Sequence, residues 1–274
     1  DDTEPTDCTE SCEIDGDAIG TTCKDYDLNV CFEKGFSVYE NKFRQLGPSV
    51  SMAEEIAKNM AKTTKLMDEE YSRLTIAALD ANSGLNANTS PYTVSATSTA
   101  IPATAWNADL FGYFAATKHR NKFPNGALLL GGLMEQTLWN VAMQTTDPTG
   151  ASAARKVASM GNVYSDSFLT ETTLGHKAAF LFAPSSIGIA TKAYFTPYGA
   201  GREEIADGNK QIMYTIVSKA SGIRYDVTYQ VKCVTVNGVK DWKHTWQLKT
   251  KGAILTPPSY CDTTKTGILQ FLCA

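Results

Sequence analysis

A run of apolar residues at helical spacing, in the first third of the chain, narrows the fold more than any other feature. Ala53, Ile56, Met60, Thr63, Met67, Tyr71, Leu74 and Ala78 recur three and four residues apart, the spacing of one helix face. Ser51-Met52-Ala53-Glu54 opens the run with a capping-box pattern, in which the serine hydroxyl takes a backbone amide that has no helical partner. Asn82-Ser83-Gly84 closes it with a helix stop. About 28 residues at ~1.5 Å each predict a rod of roughly 42 Å, long for a globular helix. The methionines on the stripe read as core packing rather than as a recognition groove.

The segments around this rod have a different character. Residues 1 to 46 form an acidic arm interrupted by Gly16, Gly20 and Gly35, with short strands expected at 27–32 and 36–39. Residues 83–105 are rich in Ser, Thr and Ala and read as an extended loop or a poor hairpin. Trp106 to Arg120 predicts a helix with Leu110, Tyr113, Phe114 and Thr117 on one side, Leu128 to Met143 a second one, and Ala151–Ser159 a short third. Lys177 to Ala183 reads as a buried strand, followed by a turn and short helix over 184–190. Residues 211–218, 225–235 and 244–249 alternate, and Asn237-Gly238 is a strong hairpin turn, so 211–255 predicts an antiparallel sheet of three or four strands. Helices and strands do not alternate as βαβ units, and the class is α+β.

Charge and motif content exclude several functions. The net charge is −4, whereas a general nucleic-acid binder is usually basic. Lys118-His119-Arg120-Asn121-Lys122 is the densest basic stretch and reads as a surface loop. No apolar run is long enough to cross a membrane as a helix. There is no phosphate-binding glycine loop, no HExxH and no GxSxG. The three histidines, His119, His176 and His244, read as surface or packing residues. The chain reads as not an enzyme, and no cofactor is expected. Asn88-Thr89-Ser90 is a formal glycosylation sequon that carries little weight.

The cysteines sit near the two ends. Cys8, Cys12, Cys23 and Cys31 lie in the arm; Cys233, Cys261 and Cys273 follow after a long interval without any. The arm spacing does not match the paired short spacings of structural zinc sites. Asp15, Asp17, Asp25 and Asp27 lack the register of a calcium-binding loop. No metal is expected. All seven cysteines are therefore candidates for disulfides or inter-subunit cross-links, with the pairing open and one thiol left over by parity.

Five stretches carry a resemblance. KDYDLNVCFEKGFSVYENKFR at 24–44, WNADLFGYFA at 106–115, FPNGALLLGG at 123–132, HKAAFLFAPSSIGIATKAYF at 176–195 and CDTTKTGILQFLCA at 261–274 resemble the major capsid proteins of tailed bacteriophages, in a variant with a cysteine-bearing N-terminal arm. The resemblance implies an extended arm, a long spine helix packed on an antiparallel sheet in a peripheral domain, and a mixed α/β axial domain. It divides the chain into an arm (1–46), spine helix and extended loop (47–105), an axial-type domain (106–200), and a peripheral sheet with C-terminal tail (201–274). It implies self-assembly into an icosahedral virion shell. Its partners would be copies of itself in hexamers and pentamers, other virion proteins, and packaged DNA held on the inner face without sequence specificity; no membrane is involved. The family's extended loop usually precedes the spine helix, and no clear hairpin precedes residue 49. The chain begins at Asp1 rather than methionine, which fits removal of a scaffolding segment.

Two other readings compete. A secreted or surface filament subunit polymerising by strand exchange and disulfides would also use an extended arm. A carbohydrate-binding or hydrolytic domain would use Trp106, Trp139, Trp242 and Trp246 as a sugar platform, with Trp242 and Trp246 on one face of a shared strand.

Overall fold

The computed structural model describes residues 28–46, 51–84, 90–94, 97–107, 109–123, 125–131, 136, 162–166, 169, 178–184, 186–192, 202–206, 209–256 and 267–273. Cys8, Cys12, Cys23 and Cys261, the four arm aspartates, His176, Trp139 and the helix expected over 151–159 lie outside them, as does most of the helix expected over 128–143. In chain order the elements are β1 (Val30–Tyr39), α1 (Glu40–Leu46), α2 (Met52–Ala81), β2 (Thr93–Val94), β3 (Ser98–Ile101), α3 (Asp109–Arg120), β4 (Ala127–Leu130), β5 (Val163–Ser165), β6 (Ala178–Phe182), β7 (Gly188–Lys192), β8 (Arg202–Ala206), β9 (Asn209–Val217), β10 (Arg224–Val236), β11 (Val239–Leu255) and β12 (Ile268–Cys273). The class is α+β.

The rod predicted from the stripe is present as α2. It runs 30 residues, or ~45 Å. Its N-cap is Ser51, whose Oγ accepts from the Glu54 amide at 3.4 Å, and Asn82 closes the other end on the carbonyls of Ala78 and Asp80. The buried face departs from the predicted stripe. Thr63, Met67 and Tyr71 are buried as expected, but farther along Ile76 and Leu79 are buried instead of Leu74 and Ala78. The reason is that α2 serves two cores. Its first two thirds pack on one sheet with Val38, Tyr225, Val227, Trp246 and Leu248. Its last turns pack on a second sheet with Leu129, Leu169, Ala178, Phe180 and Ile268. At 100° per residue, Ile76 and Leu79 lie about 150° round the helix from the Thr63–Met67–Tyr71 face, so the second partner meets a different side of the rod.

The first sheet runs β1-β11-β10-β9-β8, antiparallel at every pairing. β7 also pairs antiparallel with β11, over Lys251 to Leu255. Because Lys251 and Gly252 pair with β1 as well, β7 must lie on the edge of β11 that faces away from β1. The sheet expected over 211–255 is there as β9 to β11, and the Asn237-Gly238 turn has both residues at positive φ, 49° and 78°, the geometry of a type I′ hairpin. Two local expectations need correction. The arm strands merge into one ten-residue β1 that runs through Gly35; a Cβ there would meet the Trp246 carbonyl oxygen at 2.9 Å, so glycine marks a close approach and not a break. The short helix expected over 184–190 is replaced by strand β7, since β11 offers it a backbone ladder that local spacing does not reveal.

The second sheet runs β2-β3-β12-β6-β4-β5. β2 and β3 form the poor hairpin expected in the Ser/Thr-rich stretch. β12, from the C-terminal end, is central in this sheet, parallel to β3 and antiparallel to β6. Helix α3 covers it through Leu110, Phe111 and Phe114, which meet Leu128, Leu181 and Phe271 in a dry core. Both sheets draw on distant parts of the sequence: β1 from the arm segment and β7 from 106–200 join β8 to β11, while β3 from 47–105 pairs with β12 and carries β2 outside it.

Candidate functional site

Helix α2 is tied down at two points along its length. Near its middle, the Asp68 carboxylate accepts three hydroxyl hydrogen bonds, from Ser218 Oγ at 2.7 Å, Ser221 Oγ at 2.6 Å and Tyr225 OH at 2.7 Å. All three donors come from the β9–β10 turn or the strand that leaves it. Ser218 Oγ in turn accepts from the amides of Ala220 and Ser221, so the carboxylate organises the turn as well as holding it. Burial, together with the bond to Asp68, pushes the Tyr225 phenol far above its ordinary range; it stays a neutral donor to the carboxylate. Tyr71, on the next turn of α2, bonds Thr250 at 2.9 Å in the buried interior and packs against the Phe32 ring, and burial raises its pKa too.

At the C-terminal end, α2 is tied to the second sheet. Gln270 of β12 donates to Asp80 Oδ1 at 2.6 Å, Ser83 Oγ lies 3.3 Å from Gln270 Oε1, and the Gly84 amide donates to the Ile268 carbonyl. One helix therefore links both sheets by side-chain and backbone bonds as well as by packing. Among the described residues no group of three or more His, Cys, Asp or Glu could hold a metal ion.

The helix-covered face of the first sheet carries an aromatic ladder. Phe36, Trp246 and Tyr229 sit directly opposite one another on β1, β11 and β10. Phe36 and Trp246 stack at 5.2 Å between centroids, and Trp246 and Tyr229 at 4.8 Å. His244 extends the stack, with Nδ1 2.7 Å from Tyr229 OH and Nε2 4.0 Å from a Glu40 oxygen. His244 is thus a packing histidine, as expected, and His119 is exposed in the last turn of α3. Among the described residues the tryptophans do not form a platform. Trp246 is buried in the ladder, and Trp106 is buried with its indole N–H donating to the Ile101 carbonyl at 3.1 Å.

The surface features are apolar. An open groove of about 680 Å³ runs between α2 and the end of β9, lined by Ala57, Met60, Ala61, Ile216 and Val217 and bounded by Asp68. A second cavity of about 400 Å³ lies on the other side of Asp68, against Ile76, Leu129, Phe182 and Ile223. At the opposite end of the same sheet, the β10–β11 hairpin overhangs. β9 stops pairing with β10 at Gln230, and β1 stops pairing with β11 at Lys243. Beyond those points the tip exposes Val236 (41%), Val239 (60%) and Trp242 (50%). No periodic sequence signal marks this tip as an overhang, because the overhang depends on where the neighbouring strands end.

The described cysteines lie far apart. Cys31 is exposed at one end of the first sheet, opposite Lys251, and Cys233 is exposed at the other, opposite Trp242. Nine residues of β11 separate those partners, ~30 Å at ~3.3 Å per residue, so one chain cannot bridge Cys31 to Cys233. Cys273 is half-buried in the second sheet, opposite Ile101. Among the described residues no disulfide links two cysteines; Cys8, Cys12, Cys23 and Cys261 lie outside them.

No protein-family model matches the sequence, and no curated protein matches it. Solved structures are similar at low identity. One from Mycobacterium phage Che8 is 10% identical at a TM-score of 0.44, over 89% of this chain and 71% of that one. One from Mycobacterium phage Bobi is 14% identical at 0.45, over 89% and 72%. A satellite phage P4 procapsid structure that includes size determination protein is 8% identical at 0.31, over 97% and 87%. At these values the likeness carries no argument about function.

Proposed function

We propose that this chain is a structural subunit of a phage virion, and that its copies assemble into an icosahedral capsid shell that encloses DNA. The observation that carries the reading is α2, a single ~45 Å rod that packs on an antiparallel sheet and then crosses to a second sheet built around the C-terminal strand. This supports the reading of a spine helix that joins two domains, which the sequence resemblance implies. Its role in the reading is mechanical: one rod is bonded to both sheets, through Asp68 to the first and Asp80 to the second. The shell contains DNA without reading its sequence, and no reaction is assigned to the chain. Cys31 and Cys233, exposed at opposite ends of the first sheet, remain candidates for links between subunits.

Electron microscopy of the native material without reductant tests this. Closed shells of uniform diameter are the expected result, and particles that never exceed a monomer would refute it. A filament subunit is the second reading. It is favoured by β1, a ten-residue strand paired on one side only among the described residues, whose open edge could accept an added strand. Linear polymers in the same images would select it.

A further inference from the structure

We infer that the face of the first sheet turned away from α2 is a contact surface for the phosphate backbone of duplex DNA. The inference rests on the shell reading and names the face of the subunit that meets the enclosed DNA. Trp246 and Leu248 of β11 pack in the core under α2, so the residues that alternate with them, Lys243 to Lys251, lie on the opposite side. Strand register extends that side to Glu33 and Ser37 on β1, to Arg224 and Lys232 on β10, and to Lys192 on β7. Two contacts agree with the register. Ser37 Oγ lies 3.1 Å from Thr245 Oγ1, and the Lys243 ammonium sits 5.9 Å from the centre of the Tyr39 ring. None of these residues enters a core cluster.

Among the described residues this side carries six cations: Lys192, Arg224, Lys232, Lys243, Lys249 and Lys251. Three carboxylates share it. Asp226 and Asp241 are 5% and 8% exposed, and each already accepts a hydrogen bond, from Thr215 at 2.8 Å and from the Asn41 amide at 3.0 Å. Glu33 is the exposed one, and it stands directly opposite Lys249. Six cations against three carboxylates leave the face positive, on a chain whose net charge is −4. The surplus is concentrated at two places. Lys232 lies directly opposite Lys243, and Lys192 directly opposite Lys251. Like charges at that spacing repel. On their other flank Lys243 and Lys251 face Tyr39 and Cys31, so no carboxylate stands opposite either pair. A bound phosphate supplies the missing charge at both.

The spacing suits a polymer of phosphates. Positions 243 and 251 of β11 are ~26 Å apart at ~3.3 Å per residue, and one DNA strand places a phosphate every ~3.4 Å, so the face spans about eight of them. Between the two lysine pairs lie Ser37, Gln230, Thr245 and Gln247, neutral side chains that can donate to phosphate oxygens. Lysines and hydroxyls on a strand face hold the backbone without reading bases. The acidity of the whole chain does not oppose this, because a charge acts within a Debye length, about 8 Å at physiological ionic strength. Helix α2, on the other side of the sheet, carries six acidic residues against four basic ones. The sheet therefore separates an acidic side from a basic one.

Fluorescence anisotropy of a labelled duplex of about 20 base pairs, titrated with the full chain at ~50 mM NaCl and above, tests the inference. The wild type should bind two duplexes of unrelated sequence equally, with a log–log salt slope of about −4, the value for four to five neutralised phosphates. The double variant Lys243→Glu, Lys251→Glu turns both like-charge pairs into opposite-charge pairs, so it should melt at or above the wild-type temperature. Its affinity for the duplex should fall by roughly tenfold or more, with a flatter salt slope. No duplex binding by the wild type at ~50 mM NaCl, or equal binding by the variant, would overturn the inference. Binding to vesicles of anionic phospholipid that excess duplex does not compete away would overturn it too. Electron microscopy of the same preparations keeps the two readings apart. Closed shells from a chain that binds no duplex would leave the shell reading standing without this face. Lysine-dependent duplex binding by a chain that forms no shells would uphold the face and refute the shell.

Discussion

Replacing Asp68 with alanine should detach the β9–β10 turn from α2. The carboxylate takes three hydroxyl bonds at 2.6 to 2.7 Å, but they do not count equally. Ser221 is exposed, and water replaces its partner at little cost. Ser218 and Tyr225 are buried, and each loses a bond to a charged acceptor, worth about 1.5 kcal/mol or somewhat more. The expected loss is about 3 kcal/mol, a large share of the ~5–15 kcal/mol that holds a typical domain. Urea unfolding of the unassembled subunit, followed by tryptophan fluorescence, measures it. Tyr225→Phe should cost about half as much, since Asp68 keeps its two serines. The double variant should cost little more than Asp68→Ala alone, because both changes break the same bond. A loss below ~1 kcal/mol for Asp68→Ala, or full additivity in the double variant, would refute the clamp and return the helix to packing alone.

Three further outcomes follow from the packing and the titrating groups. Phe271→Ala empties the centre of the second core, where Phe271 meets Phe114 at 5.0 Å; it should cost about 3–5 kcal/mol in urea titration. Gly252→Ala would place a methyl 2.6 Å from the Ala190 carbonyl oxygen and 2.7 Å from Tyr71 OH, where β1, β7 and α2 converge; a loss of about 1–3 kcal/mol is expected, seen as a lower melting temperature. Stability should fall as pH rises above about 10, the ordinary tyrosine value. Tyr71, Tyr214, Tyr225 and Tyr229 all have pKa values raised chiefly by burial, so the folded chain keeps phenol protons that the unfolded chain releases. Their contribution is full below the unfolded value and is lost above it. Urea midpoints at a series of alkaline pH values check this, and Tyr225→Phe should flatten the slope.

The elements legible in the sequence were those whose signals are local. Ser51 and Asn82-Ser83-Gly84 mark the ends of α2 because capping groups lie within a few residues of the amides and carbonyls they satisfy. The alternation in 211–255 and the Asn237-Gly238 turn define β9 to β11 for the same reason: side-chain direction and positive φ are properties of neighbouring residues. The candidate surface was less legible. Trp242 read as part of a sugar platform and Val239 carried no signal, and the ends of β1 and β9 on either side leave them uncovered. Asp68 gave no signal among the charges of α2, since its three donors come from about 150 residues away.

By itself, the sequence determined a long capped helix, an antiparallel hairpin sheet and an α+β class, all set by interactions within one turn of helix or one strand pair. Tertiary structure decided the rest. It placed β12 between β3 and β6, made a strand of β7 where a helix was expected, and carried β1 through Gly35. It also turned the buried face of α2 from Tyr71 to Ile76. Each depends on a backbone ladder or a packing partner far away in the chain, and the free energy of such pairings is not encoded in local spacing.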